Sequence, residues 1–183
     1  MSRFLYVSIL AVSFCILSVT GCKKNIDKEI RDFVASSVVV PYDKFDKRIC
    51  SHFTDTLSAT KDYRLVCYLD SSECQTCKFS QLVNMEKEHI NMPEYQDLEF
   101  LYIFNVGKDD TEALYRSLCR SRIEGIVYFD TLNVFMKNNP HIPQENIYHT
   151  FVIDKNGKVL LVGNPFQNDR MIALLNKILV SKK

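Results

Sequence analysis

Residues 63–89 read YRLVCYLDSSECQTCKFSQLVNMEKEH. The run Leu65-Val66-Cys67-Tyr68-Leu69 is apolar and rich in β-formers, which predicts a buried strand. Turn-formers follow at Asp70-Ser71-Ser72-Glu73, and then Cys74-Gln75-Thr76-Cys77. From Gln75 onward Phe79, Leu82, Val83 and Met85-Glu86 fall at helical spacing, so the cysteine pair stands where a strand hands over to a helix. A thiol at a helix N-terminus meets unpaired backbone N–H groups and the positive end of the helix dipole. Both favour thiolate, which makes Cys74 the candidate nucleophile. Cys77, one turn further in, is placed to attack a mixed disulfide on Cys74 and release it. A structural disulfide is the alternative, but one that short closes little chain and stabilises little.

Downstream of that helix, Met92-Pro93-Glu94 marks a loop, and Leu98 to Val106 is an almost continuous apolar run expected of a central strand covered on both faces. Gly107-Lys108-Asp109-Asp110 reads as a turn, with Asp109 or Asp110 as N-cap of a helix through Ala113, Leu114, Leu118 and Cys119. Ile126 to Phe129 is a short strand, and Asp130 caps a helix expected from Thr131 to Asn138. Tyr148 to Ile153 and Lys158 to Val162 are two strands joined by the turn Asp154-Lys155-Asn156-Gly157. A closing helix starts near Asn168 or Asp169 and buries Met171, Ile172, Leu174, Leu175, Ile178 and Leu179. The order is β-α-β-α-β-α-β-β-α, which requires a largely parallel sheet completed by an antiparallel hairpin.

Upstream of the quoted stretch the pattern is weaker. Ile30 to Phe33 allows one helical turn, and Ser36 to Val40, stopped by Pro41, reads as a short edge strand. Tyr42 to Lys61 shows no firm periodicity. At the start, Arg3 precedes an uncharged apolar run from Phe4 to Val19, too short and too abruptly ended for a membrane span and typical of a secretory signal. The organisation expected is therefore a signal over residues 1–21, a tether with a peripheral segment over 22–60, and a main domain over 61–183.

The 183 residues carry 23 basic and 22 acidic side chains; without residues 1–21, whose only charge is Arg3, the balance is 22 to 22. No basic stripe points to nucleic acid. Of the seven cysteines, Cys15 lies in the signal and Cys22 follows it, leaving Cys50, Cys67, Cys74, Cys77 and Cys119. An odd number in an exported chain leaves at least one unpaired. Cys67, inside an apolar strand, and Cys119, on a helix after Leu118, read as small hydrophobes; Cys50 has no clear reading. His52, His89 and His141 lack paired spacing and read as solvated or capping residues.

Two resemblances follow from these residues. Val19-Thr20-Gly21-Cys22 resembles a bacterial lipobox, which implies cleavage before Cys22, lipidation of its thiol and amine, and a membrane-anchored place in the cell envelope, facing the periplasm or exterior. The strand leading into Cys74-Gln75-Thr76-Cys77, together with Thr150 to Val159 and Gly163, resembles the thioredoxin superfamily over roughly residues 60–180. It is most similar to the exported, membrane-anchored thiol–disulfide oxidoreductases and lipoproteins of Bacteroidetes type. The resemblance implies an α/β fold with a central mixed sheet flanked by helices, Cys74 as attacking thiol and Cys77 as resolving thiol. It also implies exported protein thiols and disulfides as clients, a membrane electron donor, and no cofactor beyond the redox-active pair.

The sequence departs from that pattern at two places. Glu73 stands where the family has an aromatic residue, and a carboxylate beside Cys74 opposes thiolate formation, which favours a reductant over an oxidant. His149 stands where the family has a cis-proline. A non-proline cis bond costs about 2.5–4 kcal/mol, so a trans bond is expected here. His149 reads as a residue hydrogen-bonded at a strand entrance, as a group tuning the thiols, or as a third ligand beside Cys74 and Cys77. That last set resembles the copper chaperones of cytochrome oxidase assembly and would suit copper or zinc, though the cysteine spacing differs. A binding lipoprotein that keeps the fold without turnover is a further alternative.

Overall fold

In the computed structural model, residues 26–50, 61–70, 75–90, 95, 97–121, 123 and 125–180 are described, with the helical backbone alone at 75–79 and 89–90. The sheet has six strands, β1 (Asp46–Cys50), β2 (Tyr63–Leu69), β3 (Leu98–Phe104), β4 (Gly125–Phe129), β5 (Thr150–Asp154) and β6 (Val159–Val162), in the order β1-β4-β3-β2-β5-β6. Among the described residues five α-helices accompany them: α1 (26–34), α2 (Gln75–Ile90), α3 (Thr111–Arg120), α4 (Val134–Asn138) and α5 (Asp169–Val180). From β2 to α5 the order is the one the apolar runs predict.

β2 lies inside the sheet because neither of its faces can be left in water. Leu65, Cys67 and Leu69 point to one side, against Leu82 and Met85 of α2, Leu114 and Leu118 of α3, and Leu175 and Leu179 of α5. Val66 and Tyr68 point to the other, into a core with Phe33 of α1, Phe135 of α4, Phe151 and Ile142. Period-two alternation with both layers apolar produces the continuous run seen in the sequence. β2 pairs in parallel with β3, Leu69 opposite Phe104, and β3 in parallel with β4. β5 is antiparallel to β2, with Cys67 opposite Thr150, and β6 returns along β5. A parallel βαβ unit extended by an antiparallel hairpin and a closing helix is a thioredoxin-like α/β arrangement.

Local chemistry sets the boundaries, with several corrections to the sequence reading. Asp130, fully buried, accepts hydrogen bonds from the N–H groups of Val134 and Phe135 at 2.8 and 2.7 Å. It thus caps α4 as expected, but the helix begins at Val134 instead of Thr131. Asn168 Oδ1 accepts from Met171 N at 3.1 Å and caps α5. On α5 Leu174 is 39% exposed and does not join the buried face. Asp110 precedes α3 without a side-chain cap, because residues 108–110 already form a 3-10 turn.

The N-terminal part also differs. The expected strand at 36–40 is a strap that touches the sheet through one bridge, Ser37 to Lys158. The edge strand is instead β1, antiparallel to β4 from Asp46 opposite Phe129 to Cys50 opposite Gly125. Cys50 and Cys119 form a disulfide. Cys119 is therefore a covalent partner rather than a small hydrophobe. Its helix position brings it over the end of β1, where Tyr115 Oη also donates to the Ile49 carbonyl at 2.7 Å. Cys67 is fully buried in β2, as its place in an apolar strand predicts.

Candidate functional site

The end of the sheet where β2 exits is held by backbone bonds between neighbouring strands. Asn105 N donates to the Leu69 carbonyl at 2.8 Å, and Asn105 Nδ2 to Asp70 at 3.4 Å. Tyr68 N donates to the His149 carbonyl at 2.9 Å. The chain leaving β2, the chain leaving β3 and the entrance of β5 therefore meet at one end. α2 begins at Gln75, six residues after the last residue of β2, and Cys77 is its third residue. Cys77 thus occupies the first turn of the helix, as the sequence predicts. Cys74 directly precedes the first helical residue in the chain. Cys22, Glu73, Cys74 and His52 lie outside the described residues, as do the side chains of Cys77 and His89.

His149 is placed fully. Its peptide bond is trans, as expected. Its ring is 3% exposed and meets the Tyr68 ring edge-on at 5.2 Å, on the α4 side of the sheet, across from the layer that holds α2. Nε2 lies 3.0 Å from the Pro143 carbonyl. A carbonyl only accepts, so this contact requires the tautomer with the proton on Nε2. That is the strand-entrance hydrogen bonding the sequence suggests. Tyr68 is fixed in turn by donating to Asn133 Oδ1 at 3.1 Å. His141 is neither fully solvated nor a cap, since its ring packs 6.1 Å from that of Phe33. Among the described residues no three His, Cys, Asp or Glu side chains converge as a metal site. Of the set Cys74, Cys77 and His149, only the His149 side chain lies among the described residues.

Sequence reasoning missed a buried acidic pair beneath α2. Glu86 is 8% exposed, and Tyr102 of β3 donates its hydroxyl to Glu86 Oε1 at 2.7 Å. Tyr102 stands opposite Cys67 in the β2–β3 register. The only signal for Glu86 is its place beside Met85 on the inward helical stripe. Burial, then the Glu86 charge, then Cys67 and the hydrogen bond hold the Tyr102 phenol well above its ordinary range. A raised folded value means the native state keeps a proton the unfolded chain releases. The stability tied to Tyr102 is complete below about pH 10 and is lost as pH rises toward the folded value. Tyr102→Phe should therefore lessen the loss of stability above pH 10 by up to about 1.4 kcal/mol per pH unit. Urea midpoints from pH 8.5 to 11 read this, and parallel curves for the two proteins would remove Tyr102 as the cause.

Together, the sheet order and the cysteine helix leaving β2 define a thioredoxin-like domain. No family model matches the sequence, and no curated protein matches it. Among solved structures the chain is similar to a candidate thiol-disulfide oxidoreductase from Bacteroides vulgatus, at 14% identity and a TM-score of 0.46, covering 67% of this chain and 76% of that one. It is similar also to the thioredoxin domain of a thiol-disulfide oxidoreductase from Bacteroides vulgatus, at 11% identity and a TM-score of 0.47, covering 79% and 98%. Neither likeness transfers a substrate or an activity to this chain.

Proposed function

We propose that this protein is an envelope thiol–disulfide oxidoreductase, anchored by lipid on Cys22, that reduces disulfides of exported proteins through Cys74 and Cys77. The observation that carries the reading is the disposition of the cysteines. Cys50 and Cys119 are bonded to each other, and Cys67 is buried in β2. Beyond Cys22 this leaves Cys74 and Cys77 as the remaining pair, with Cys77 in the first turn of the helix that follows β2. The Cys50–Cys119 disulfide also supports export, because such bonds persist in oxidising compartments.

In the forward reaction the Cys74 thiolate attacks one sulfur of a client disulfide and releases the other as thiolate. The Cys77 thiolate then attacks Cys74 Sγ, forming the Cys74–Cys77 disulfide and releasing the second client thiolate. Two electrons pass to the client, and a membrane dithiol donor restores the pair. Glu73, next to Cys74, disfavours the thiolate and with it the oxidant direction.

The test is to equilibrate the protein, purified without chelator, across dithiol buffers of graded poise and count thiols by mass-tag alkylation. A reversible two-electron transition confined to Cys74 and Cys77 is expected, absent from Cys74→Ser and Cys77→Ser. Thiols that stay unreactive with about one equivalent of copper or zinc on the same sample would replace this reading with metal carriage. Neither cycling nor metal would leave a binding scaffold.

A further inference from the structure

Four of the eight exposed large apolar side chains among the described residues, Ile26, Val34, Val39 and Tyr42, fall within residues 26–42. They are not on a loose arm. Phe33 is fully buried, its ring edge-on to Phe151 at 5.1 Å. Val38 N donates to the Gly157 carbonyl at 2.7 Å. The buried Asn139 side chain clamps Val39 by accepting from its N–H and donating to its carbonyl, each at 2.8 Å. The clamp fixes a backbone whose valine side chain points to solvent, leaving Val39 58% exposed.

We propose that α1 and the strap at 36–42 are the membrane-facing surface of the domain, with Val34 and Val39 against lipid. The inference rests on the lipid-anchored reading above. Its occupant is fixed by chain length: only Lys23, Lys24 and Asn25 separate Cys22 from Ile26, the first described residue. Four extended residue steps span at most about 14 Å, so a lipidated Cys22 holds α1 at the headgroup layer. Lys23 and Lys24 add attraction to anionic headgroups. A fixed surface with outward valines, held that close, lowers its free energy by placing them in the interface. α1 and α4 cover one face of the sheet and α2 the other. The helix bearing Cys77 is thereby turned to the aqueous side, where exported clients approach.

The chain contains no tryptophan, so a single introduced indole reports its own depth. Val34→Trp, Val39→Trp and, on the opposite layer, Leu174→Trp would each be made in the full lipidated protein. Each would be reconstituted in phosphatidylcholine–phosphatidylglycerol vesicles with acyl chains brominated near the headgroups. Quenching of the two N-terminal indoles should exceed that of Leu174→Trp by about threefold, because bromine quenches within the shallow depth such surfaces reach. Two exposed N-terminal positions are used so that one misfolded variant leaves the other to decide. Equal quenching at all three positions, or stronger quenching at Leu174→Trp, overturns the inference while intact mass still shows lipid on Cys22. A mass without lipid overturns the anchored reading and this inference together.

Discussion

Replacing Cys50 and Cys119 together with alanine should lower the unfolding free energy by about 4 kcal/mol, the chain-entropy value for a loop of this length. The bond spans 69 residues of sequence and joins the edge strand β1 to α3. Apart from its backbone pairing with β4, little but this bond buries β1. Asp46 and Lys47 are exposed, and only Cys50 is fully buried. Its other ties to α3 include the Tyr115–Ile49 hydrogen bond, the Arg48 guanidinium over the Tyr115 ring at 5.3 Å, and an Arg48–Glu112 ion pair at 2.6 Å. That pair is largely exposed and contributes little, about 0–1 kcal/mol. Urea unfolding in a Cys74→Ser, Cys77→Ser background isolates the effect from the redox pair. A loss under about 1 kcal/mol would mean that the unfolded chain is already constrained there, or that packing alone holds β1.

How much of this was legible in the sequence follows from how each element is stabilised. β2, β3 and β5 are covered on both faces, so their composition alone marks them as strands. α3 and α5 carry one apolar stripe each and reveal themselves by helical spacing. β1 is an edge strand of sequence DKRIC, held by backbone pairing and a disulfide, and neither leaves a periodic signature. Disulfide partners cannot be paired from spacing, and Cys119 beside Leu118 looked like packing. Residues 36–40, the core of the strap, read as a strand because Val38-Val39-Val40 favours extended backbone. The strap's backbone meets the sheet only through the two hydrogen bonds of a single bridge, Val38 N to Gly157 O and Val159 N to Ser36 O. It is otherwise clamped by the Asn139 side chain, so it forms no ladder. Around the candidate site, the strand-to-helix handover and the trans bond before His149 were legible. The Glu86–Tyr102 bond was not, because burying a carboxylate depends on a residue sixteen positions away.

Gly157→Ala should cost about 3 kcal/mol and release the strap, for two separable reasons. The β5–β6 turn is built by Asp154, whose Oδ1 accepts from Asn156 N at 2.8 Å and Lys158 N at 3.0 Å. The turn then requires Gly157 at φ +82°, a conformation that costs an L-residue about 1–2 kcal/mol. The second reason is contact. A Cβ on Gly157 would lie 2.2 Å from the Val38 carbonyl oxygen, a backbone atom that can move only if the strap moves. Moving it breaks the Val38 N to Gly157 O and Val159 N to Ser36 O bonds and uncovers Val38. Each hydrogen bond is worth about 1 kcal/mol. Urea unfolding gives the total, and amide exchange at Val38 and Val159 shows whether the strap has left. Gly157→Asn separates the two terms: asparagine tolerates positive φ but carries the same Cβ. It should recover about 1 kcal/mol of the alanine loss while Val38 and Val159 still exchange fast. Protected amides in both variants would show that the turn yields and the strap stays, leaving backbone conformation as the whole cost.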